Sequence, residues 1–292
     1  MGRGRSVKSQ QLILAAREIL KAIQPASIRA VCYQLFNRGL IVSMAKSETN
    51  RVSTQLRDAR ERGVIPWRWI VDETREAECV NAWVNPAEYV ETIKRSYRRD
   101  RWTDQPDRLE VWSEKGTIRG TLAPVLHEYG LTFRVMHGYG SATTVHEVAA
   151  QSQQSEKPSV VLYVGDFDPS GLHMSEVDLP ERIGRYGGAI EIERVALRAE
   201  HVDTLELPSF QADEKRQDPR FEWYVRRYGR RCWELDALSP VILRRDVEAA
   251  IACRLNLAAW ERAEQVERAE QESLVSILDT WPGISSQESK CS

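Results

Sequence analysis

Two aspartates stand two positions apart at the end of an apolar run in the segment VVLYVGDFDPSG, residues 160–171. A third carboxylate, Glu114, ends a second apolar stretch, RLEVWSE. Reactive groups of parallel α/β sheets lie beyond the carboxyl ends of the strands, so Glu114, Asp166 and Asp168 converge if their two strands are neighbours. Three carboxylates at one edge repel one another and need a cation, and hard oxygen ligands suit Mg²⁺. We therefore predict a Mg²⁺ site formed by these three residues.

Part of this segment has an ordinary structural interpretation. The run Asp168-Pro169-Ser170-Gly171 matches the sequence of a type I turn, in which these residues only punctuate the strand. A turn does not account for Asp166 or Glu114, and the two interpretations stand side by side.

A tyrosine and an arginine form a second candidate pair, in the predicted helix SIRAVCYQLF. Arg29 and Tyr33 are four residues apart and share one helix face. A tyrosine with its usual pKa of about 10 is a poor nucleophile near neutral pH unless a cation or base assists it. Arg29 can supply that cation, by polarising a phosphate or by stabilising the phenolate. The alternative is that Tyr33, beside Val31, Leu35 and Phe36, packs in a helical core with its hydroxyl outward.

The elements that must position these residues are of two kinds. Residues 8–75 are predicted to form three helices and then the segment VIPWRWIVD, whose alternating apolar and polar residues are typical of a short strand or wing. From Arg108 onward strands and helices alternate, which predicts a parallel sheet. The fold class is therefore α/β, with an N-terminal, mostly α, winged helix-turn-helix followed by a parallel α/β sheet domain. The predicted division is 1–75, a helical connector over 76–107, the α/β domain over 108–255, and a C-terminal helix and tail over 256–292.

The charge of the chain restricts any nucleic-acid surface to local clusters. The formal net charge is only -2, so the chain as a whole is no polycation. The third predicted helix is basic, its arginines are mostly unmatched by acids, and in winged helix-turn-helix proteins this helix lies in the major groove. The connector ends in a second basic patch; the alternative is a helical bundle with a solvated basic face. The residues that we predict to contact DNA are Arg51, Arg57, Arg60, Arg98, Arg99 and Lys115.

Cysteine usage and hydropathy bear on the compartment. The five cysteines are scattered without CxxC spacing, which argues against a zinc site or a disulfide framework and favours a reducing compartment. No segment approaches the roughly 18 apolar residues of a membrane span. We therefore expect a soluble, cytoplasmic, nucleoid-associated protein that does not bind a membrane.

The acidic motifs and their order resemble a known module. The stretch EVWSEKGTIRGTL, the glycine loop HGYGSATT and the D-x-D-P-x-G segment together look like a Toprim domain, the metal-binding module of topoisomerases and related nucleases. The spellings SEKGTIRGTL and GDFDPSGLHM are similar to the A subunit of topoisomerase VI and its relative that makes meiotic double-strand breaks. The resemblance covers roughly residues 10–250, and the size is most similar to the small standalone Mini-A members found in mobile elements.

The resemblance implies an activity and assigns roles. In that branch a winged helix precedes the Toprim domain and carries a catalytic tyrosine, with an arginine four residues before it, as Arg29 stands before Tyr33. The resemblance implies Mg²⁺-dependent cleavage and rejoining of double-stranded DNA through a 5′-phosphotyrosyl link, as in type IIB topoisomerases. Tyr33, Arg29 and Glu114 are the implied catalytic residues, and Glu114, Asp166 and Asp168 the implied metal ligands. A homodimer is also implied, in which the tyrosine of one subunit works with the acids of the other.

The chain departs from the family pattern in two respects. Cys32 stands where the family often has a second aromatic residue, and the intact family enzyme needs a separate ATPase B-type subunit. Nothing in this sequence resembles an ATPase fold or a P-loop, since the pattern GxxxxGK[ST] does not occur. The late segment RYGRRCWELDAL also resembles the family, and its Glu234 and Asp236 either support the metal edge or belong to a surface ion-pair network.

Two other functions remain open on the same residues. The first is a metal-dependent DNA nuclease that uses water as the nucleophile, with Tyr33 as a packing residue. The second is a non-catalytic DNA-binding regulator. The presence of all three acids argues against this alternative.

Overall fold

The computed structural model describes residues 7–70, 82–136 and 142–279. The chain divides into two compact units: Met1–Arg75 with Arg108–Cys253, and Glu76–Asp107 with Arg254–Ser292. The predicted boundaries at 75/76 and 107/108 coincide with edges of these units. The helical N-terminal segment and the α/β segment thus lie in the same unit, whereas the connector lies with the C-terminal helix.

Three helices open the first unit, as the sequence predicts: α1 (Val7–Ile23), α2 (Ile28–Asn37) and α3 (Lys46–Glu61). Ser27 starts α2 because its hydroxyl accepts a hydrogen bond from the Ala30 N–H at 3.1 Å, which is the usual function of an N-cap serine. The apolar faces of the three helices meet in a single core, formed by residues such as Leu20, Leu35 and Leu56. This core fixes the position of the α2 helix, which carries Arg29 and Tyr33.

The strand that the sequence predicts after α3 is not formed by the described residues 64–70, and that prediction is wrong. Trp67–Trp69 form one turn of 3-10 helix, and Ile70 makes only an isolated bridge to Ala26. Pro66 cannot donate to a strand ladder. The Arg60 guanidinium donates hydrogen bonds to the carbonyl oxygens of Trp67 at 3.0 Å and Ile70 at 3.3 Å. These two bonds hold residues 67–70 in a turn around the guanidinium. The remaining two residues of the predicted strand, 71 and 72, lie outside the described residues.

A four-stranded sheet forms the centre of the α/β part. Its strands are β1 (Arg108–Ser113), β2 (Thr132–Val135), β3 (Ser159–Val164) and β4 (Ile190–Ala196), in the order β2-β1-β3-β4 and all parallel. The predicted parallel α/β sheet is therefore confirmed. β1 and β3 are neighbours at the centre of the sheet; β2 lies outside β1, and β4 lies outside β3 on the other side. The direction in which the chain adds strands therefore reverses between β1 and β3. A crevice opens at the carboxyl ends of strands at such a reversal, and ligands bind there in open α/β sheets.

The remaining elements of this unit cover the sheet and extend it at its carboxyl edge. A two-stranded antiparallel pair lies apart from the main sheet, and each of its strands leads into a short 3-10 turn, Ala212–Lys215 or Leu235–Ala237. The Phe167 and Trp233 backbones exchange two hydrogen bonds of 2.9 Å, which tie the loop after β3 to the segment after the second short strand. These elements are α5 (Ile118–Tyr129), α6 (Ala142–Gln154), α7 (Pro169–His173), α8 (Leu179–Arg185), α9 (Ala199–Thr204), β5 (Phe210–Gln211), α10 (Phe221–Tyr228), β6 (Arg231–Cys232) and α11 (Pro240–Arg254).

The second unit contains α4 (Pro86–Ser96), a 3-10 turn (Arg101–Asp104) and the long helix α12 (Leu257–Asp279). Two arginines of this unit form ion pairs with acids of α12. Arg99 lies 2.6 Å from Glu270, and Arg101 lies 2.6 Å from Glu264 and 2.7 Å from Glu267. Across the described ranges of both units, no helix is long and apolar enough to cross a lipid bilayer.

Candidate active site

The loop after β3 holds the two aspartates of the D-x-D-P-x-G segment. Asp168 is the N-cap of α7: one of its carboxylate oxygens accepts hydrogen bonds from the Gly171 N–H at 2.7 Å and from the Ser170 hydroxyl at 2.9 Å. Pro169 occupies the first turn of that helix, where a missing N–H costs nothing. The turn-like sequence therefore does have a local structural use, in starting a helix. Both aspartates are nevertheless buried, which a plain surface turn does not require.

A partly buried arginine on β4 fixes the shape of this loop. Arg194 donates hydrogen bonds to backbone carbonyls and one hydroxyl of the loop and its surroundings, and burial lowers the pKa of its guanidinium. Gly171 is required at its position because a Cβ atom there would overlap the Asp166 carbonyl oxygen. Arg194 was not predicted from the sequence, although it is the one basic residue of strand β4. Its acceptors are the Gly165 (3.0 Å), Asp166, Gly171 (3.1 Å) and Leu197 (2.7 Å) carbonyls and the Ser175 hydroxyl (2.7 Å).

Two lysines neutralise the two aspartates. The Lys115 ammonium lies 2.8 Å from one Asp166 oxygen, and the Lys215 ammonium pairs with Asp168. Burial lowers the pKa of each lysine, but the neighbouring carboxylates outweigh it and leave the pKa of both raised. Lys115, which the sequence suggested as a DNA contact, is therefore engaged at the carboxylate edge. Lys215 was not singled out from the sequence, in which it is an ordinary lysine of a charged loop.

Glu114 lies beside the two aspartates, as its position after β1 predicts. Burial, followed by the charges of Asp166 and Asp168, raises the pKa of Glu114 to about 7. Burial also raises the pKa of Asp166, whereas at Asp168 the effect of burial is outweighed by Lys215 and by the Gly171 N–H, so that its pKa is lowered. The three predicted carboxylates therefore share one electrostatic environment, and Glu114 is the one without an ammonium partner among the described residues.

These residues fit a hard divalent cation by their chemistry. Three oxygen ligands gather at one edge, and two ammonium groups stand in for the positive charge. In the conformation described, no group of three or more His, Cys, Asp or Glu side chains within residues 7–70, 82–136 and 142–279 is arranged to hold a metal ion. In the same conformation the Lys115 and Lys215 ammonium groups contact oxygens of Asp166 and Asp168. The glycine loop HGYGS of the predicted module lies outside the described residues.

A buried aspartate connects the carboxylate edge to the helix that carries Tyr33. One Asp236 oxygen accepts a hydrogen bond of 2.9 Å from the Ser27 hydroxyl, and the other lies 3.2 Å from Lys115 Nζ. The neighbouring Leu235 N–H donates to Asp166 at 2.7 Å. A continuous chain of polar contacts therefore runs from the N-cap of α2 through Asp236 and Lys115 to Asp166. Of the two interpretations of the late acidic segment, the structure favours support of the acidic edge for Asp236, whose side chain is only 2 % exposed.

Arg29 and Tyr33 lie together on α2, with the Arg29 guanidinium carbon 5.8 Å from the Tyr33 ring centroid. The guanidinium makes a two-pronged ion pair with Glu234. Tyr33 is buried, and burial together with the Glu234 charge raises the pKa of its hydroxyl. Tyr33 also lines an open groove of about 530 Å³, whose wall includes Arg29, Glu234 and Lys215. It therefore differs from Val31 and Leu35, which pack wholly inside the helical core.

The other predicted DNA contacts have partners of their own. Arg51 lies 2.7 Å from Glu48, and Arg57 lies 3.2 Å from Asp58. The expectation that the arginines of α3 lack acidic neighbours is therefore wrong, although the side chains of Arg51 and Arg57 remain about half exposed. Arg60 serves the turn at Trp67, as described above. Arg98 and Arg99 belong to the second unit, where Arg99 pairs with Glu270.

Comparisons with known proteins gave no match, either with a protein-family model or with a curated protein. The site is therefore interpreted from its own residues and contacts.

Removing the Asp236 carboxylate should destabilise the first unit. Asp236→Ala leaves the Ser27 hydroxyl and part of the buried Lys115 charge without an acceptor, so we expect a loss of roughly 3 kcal/mol in the free energy of unfolding. The double variant with Ser27→Ala should cost less than the sum of the two single variants, because the residues share one hydrogen bond. Urea denaturation measures all three. Asp213→Asn is the control, since its pair with Arg230 is exposed and should be worth less than about 1 kcal/mol; equal costs at the two aspartates would contradict the network.

The pKa of Glu114 gives a stability difference that depends on pH. Below its usual pKa near 4.5 the carboxyl is protonated in both the folded and the unfolded chain, and it has no effect. Between pH 4.5 and 7 only the unfolded chain ionises, so stability is lost as pH rises through this window. In EDTA, Glu114→Gln should therefore be more stable than the wild-type protein above pH 7, by about 2–3 kcal/mol, and lose this advantage below pH 4.5. Thermal melts across pH measure it, and a constant difference would contradict the assignment.

Proposed function

We propose that the chain is a Mg²⁺-dependent enzyme that cleaves and rejoins double-stranded DNA through a covalent 5′-phosphotyrosyl link, with Tyr33 as the nucleophile. The observation that carries this proposal is the groove that Tyr33 and Arg29 share with Lys215, the partner of Asp168. A tyrosine, cations for a phosphate and an acidic edge thus meet within one unit. The parallel sheet, with acids after its two central strands, supports a Toprim-type domain, and the three helices with their arginine–tyrosine pair support a relative of the winged-helix domain that precedes it.

The chemical step proposed for Tyr33 is a transesterification. Its phenolic oxygen forms a bond to the DNA phosphorus, the bond from phosphorus to the 3′ oxygen breaks, and the phenol proton leaves while the 3′ oxygen gains one. Rejoining is the reverse reaction, so no other reactant is consumed. Glu114, Asp166 and Asp168 would hold Mg²⁺, which when bound supplies positive charge next to the phosphate. Once its ion pair with Glu234 is replaced by a contact with DNA, Arg29 stabilises the phosphate or the phenolate.

The proposal extends to a homodimer, because breaking both strands of a duplex requires two tyrosines. Cleavage and rejoining conserve the number of phosphate ester bonds and therefore need no ATP. The proposed function includes a separate ATPase subunit only for strand passage.

A hydrolytic nuclease is the second candidate, and one observation favours it. Tyr33 is a buried residue and the pKa of its hydroxyl is raised, while Glu114 has a pKa of about 7 and so can take up a proton near neutrality. In this mechanism the oxygen of a water molecule forms a bond to phosphorus and Glu114 accepts the water proton. The bond from phosphorus to one bridging oxygen breaks, that oxygen gains a proton, and Tyr33 only packs.

Tyr33→Phe separates the two mechanisms. The change removes only a hydroxyl, so the variant should fold and bind DNA like the wild-type protein, yet leave supercoiled plasmid intact and form no protein–DNA adduct. The assay is incubation with plasmid and Mg²⁺, a detergent quench, and electrophoresis with and without protease. Tyr186→Phe is the matched control, because Tyr186 precedes β4 and lies at the opposite edge of the sheet. Wild-type cleavage by Tyr33→Phe would refute the covalent mechanism and leave the nuclease.

Substitution of the acids should separate cleavage from binding. Asp166→Ala and Glu114→Ala should abolish cleavage while DNA affinity is kept or increased, because each change removes a metal ligand and also a charge that repels phosphate. Plasmid cleavage and fluorescence anisotropy with a short duplex measure the two properties. Glu181→Gln, an exposed acid of α8, is the control and should change neither. Full Mg²⁺-dependent cleavage by both acid variants would remove the metal site from the proposal.

A further inference from the structure

Lys215 lies at the border between the acidic edge and the groove. It ends the 3-10 turn Ala212–Lys215, which is fixed by a 2.9 Å hydrogen bond from the Ala212 N–H to the Arg230 carbonyl. Its ammonium pairs with Asp168, whose side chain is fully buried, while the Lys215 side chain is 34 % exposed. It also lies 5.6 Å from the centre of the Phe210 ring, which borders the same groove. The charge of Lys215 is therefore accessible from the groove as well as from Asp168.

Asp168 does not depend on Lys215 alone. The same carboxylate accepts hydrogen bonds from the Gly171 N–H and the Ser170 hydroxyl, which are part of the α7 cap and persist if the ammonium leaves. The four-carbon stem of a lysine is flexible and its ammonium is a point charge, so it can change partners over a few ångströms. The Arg29–Glu234 pair, which lines the same groove, is two-pronged, whereas Lys215 holds Asp168 through a single ammonium; this makes Lys215 the more readily exchanged cation.

We propose that the groove bordered by Tyr33, Arg29, Glu234 and Lys215 receives the scissile phosphate, and that Lys215 of the same chain as Tyr33 binds a non-bridging oxygen of it. This rests on the proposed function and adds to it a catalytic residue and a location. A preorganised cation next to the attacked phosphorus stabilises the charge that develops there. It follows that nucleophile and phosphate ligand come from one chain, in contrast to the exchange between subunits that the family resemblance implies.

The first test measures phosphate contact without chemistry. Binding of a short duplex is followed by anisotropy in EDTA over a series of salt concentrations. Lys215→Gln should reduce the slope of log K against log salt by about 0.9, the value for one lost phosphate contact, and weaken binding several-fold near 0.1 M salt. Lys215→Arg keeps the charge and should keep the slope. Arg216→Gln, an exposed neighbour that does not border the groove, is the matched control and should also keep it.

A measurement on the unmodified protein guards against a variant that fails to fold. Saturating duplex should slow acylation of Lys215 several-fold, as read by mass spectrometry of peptides. Lys157 is the internal control, because it lies just before β3 at the opposite edge of the sheet. Equal protection of the two lysines, or no protection, would overturn the assignment of Lys215.

The second test asks whether one chain supplies both groups. Lys215→Gln should lower plasmid cleavage by about 10- to 100-fold, as the loss of a preorganised charge does in other sites. Equal amounts of Tyr33→Phe and Lys215→Gln are then mixed and re-equilibrated. If both groups act in one chain, the mixture cleaves no better than its components. Recovery of nicking to about a quarter of the wild-type value, the share of intact sites when half of the dimers are mixed, would show that the groups act across subunits.

The outcomes separate this proposal from the proposed function. If the wild-type protein cleaves DNA with a protease-sensitive adduct and Lys215→Gln matches it in salt slope and rate, only the role of Lys215 falls. If the wild-type protein neither binds nor cleaves duplex DNA, the proposed function falls and takes the Lys215 site with it.

Discussion

The buried carboxylate of Asp236 is the interaction on which the geometry of the site depends. A charge removed from water is tolerated only if it is paired and hydrogen-bonded, and Asp236 finds both kinds of partner, Lys115 and Ser27. Because Ser27 caps α2 and Lys115 follows β1, satisfying this one group fixes the helix against the sheet. Together with the helical core that holds α2, this constraint places Tyr33 at the groove.

The acids at the sheet edge can be ordered by their partners. Asp168 has a lysine, an N–H and a hydroxyl, and its pKa is lowered. Asp166 has a lysine and an N–H, but burial and the Asp168 charge outweigh them, and its pKa is raised. Glu114 has no such partner among the described residues, and its pKa rises to about 7. Like charges in a poorly solvated edge are stable only with compensating cations. The two lysines supply part of that compensation, and the unmatched Glu114 is the reason why a further cation would stabilise the edge.

Some of this could be predicted from the sequence and some could not, for identifiable reasons. The two buried strands and the acids that follow them were predicted because strand ends are local features and parallel strands share an edge. Asp236 and Ser27 are 209 positions apart, and no spacing rule relates residues at that separation. The predicted strand after α3 failed because Pro66 and the Arg60 guanidinium override a short alternation. The acidic partners of Arg51 and Arg57, in contrast, lie within four residues of them along the chain, so these ion pairs could have been predicted from the sequence.

In the structure, the cations at the groove are paired with carboxylates of the same chain. Arg29 is held by Glu234, Lys215 by Asp168, and the Tyr33 hydroxyl is an un-ionised phenol with a raised pKa. A DNA phosphate carries the same single negative charge as a carboxylate, so it can replace Glu234 or Asp168 as the partner of either cation without changing the charge of that pair. Either exchange brings a phosphate charge to the groove, so binding does not reduce the kind of negative charge that raises the pKa of Tyr33. On the proposed function, the cation that favours ionisation of the nucleophile is therefore Arg29, whose charge lowers the pKa of Tyr33.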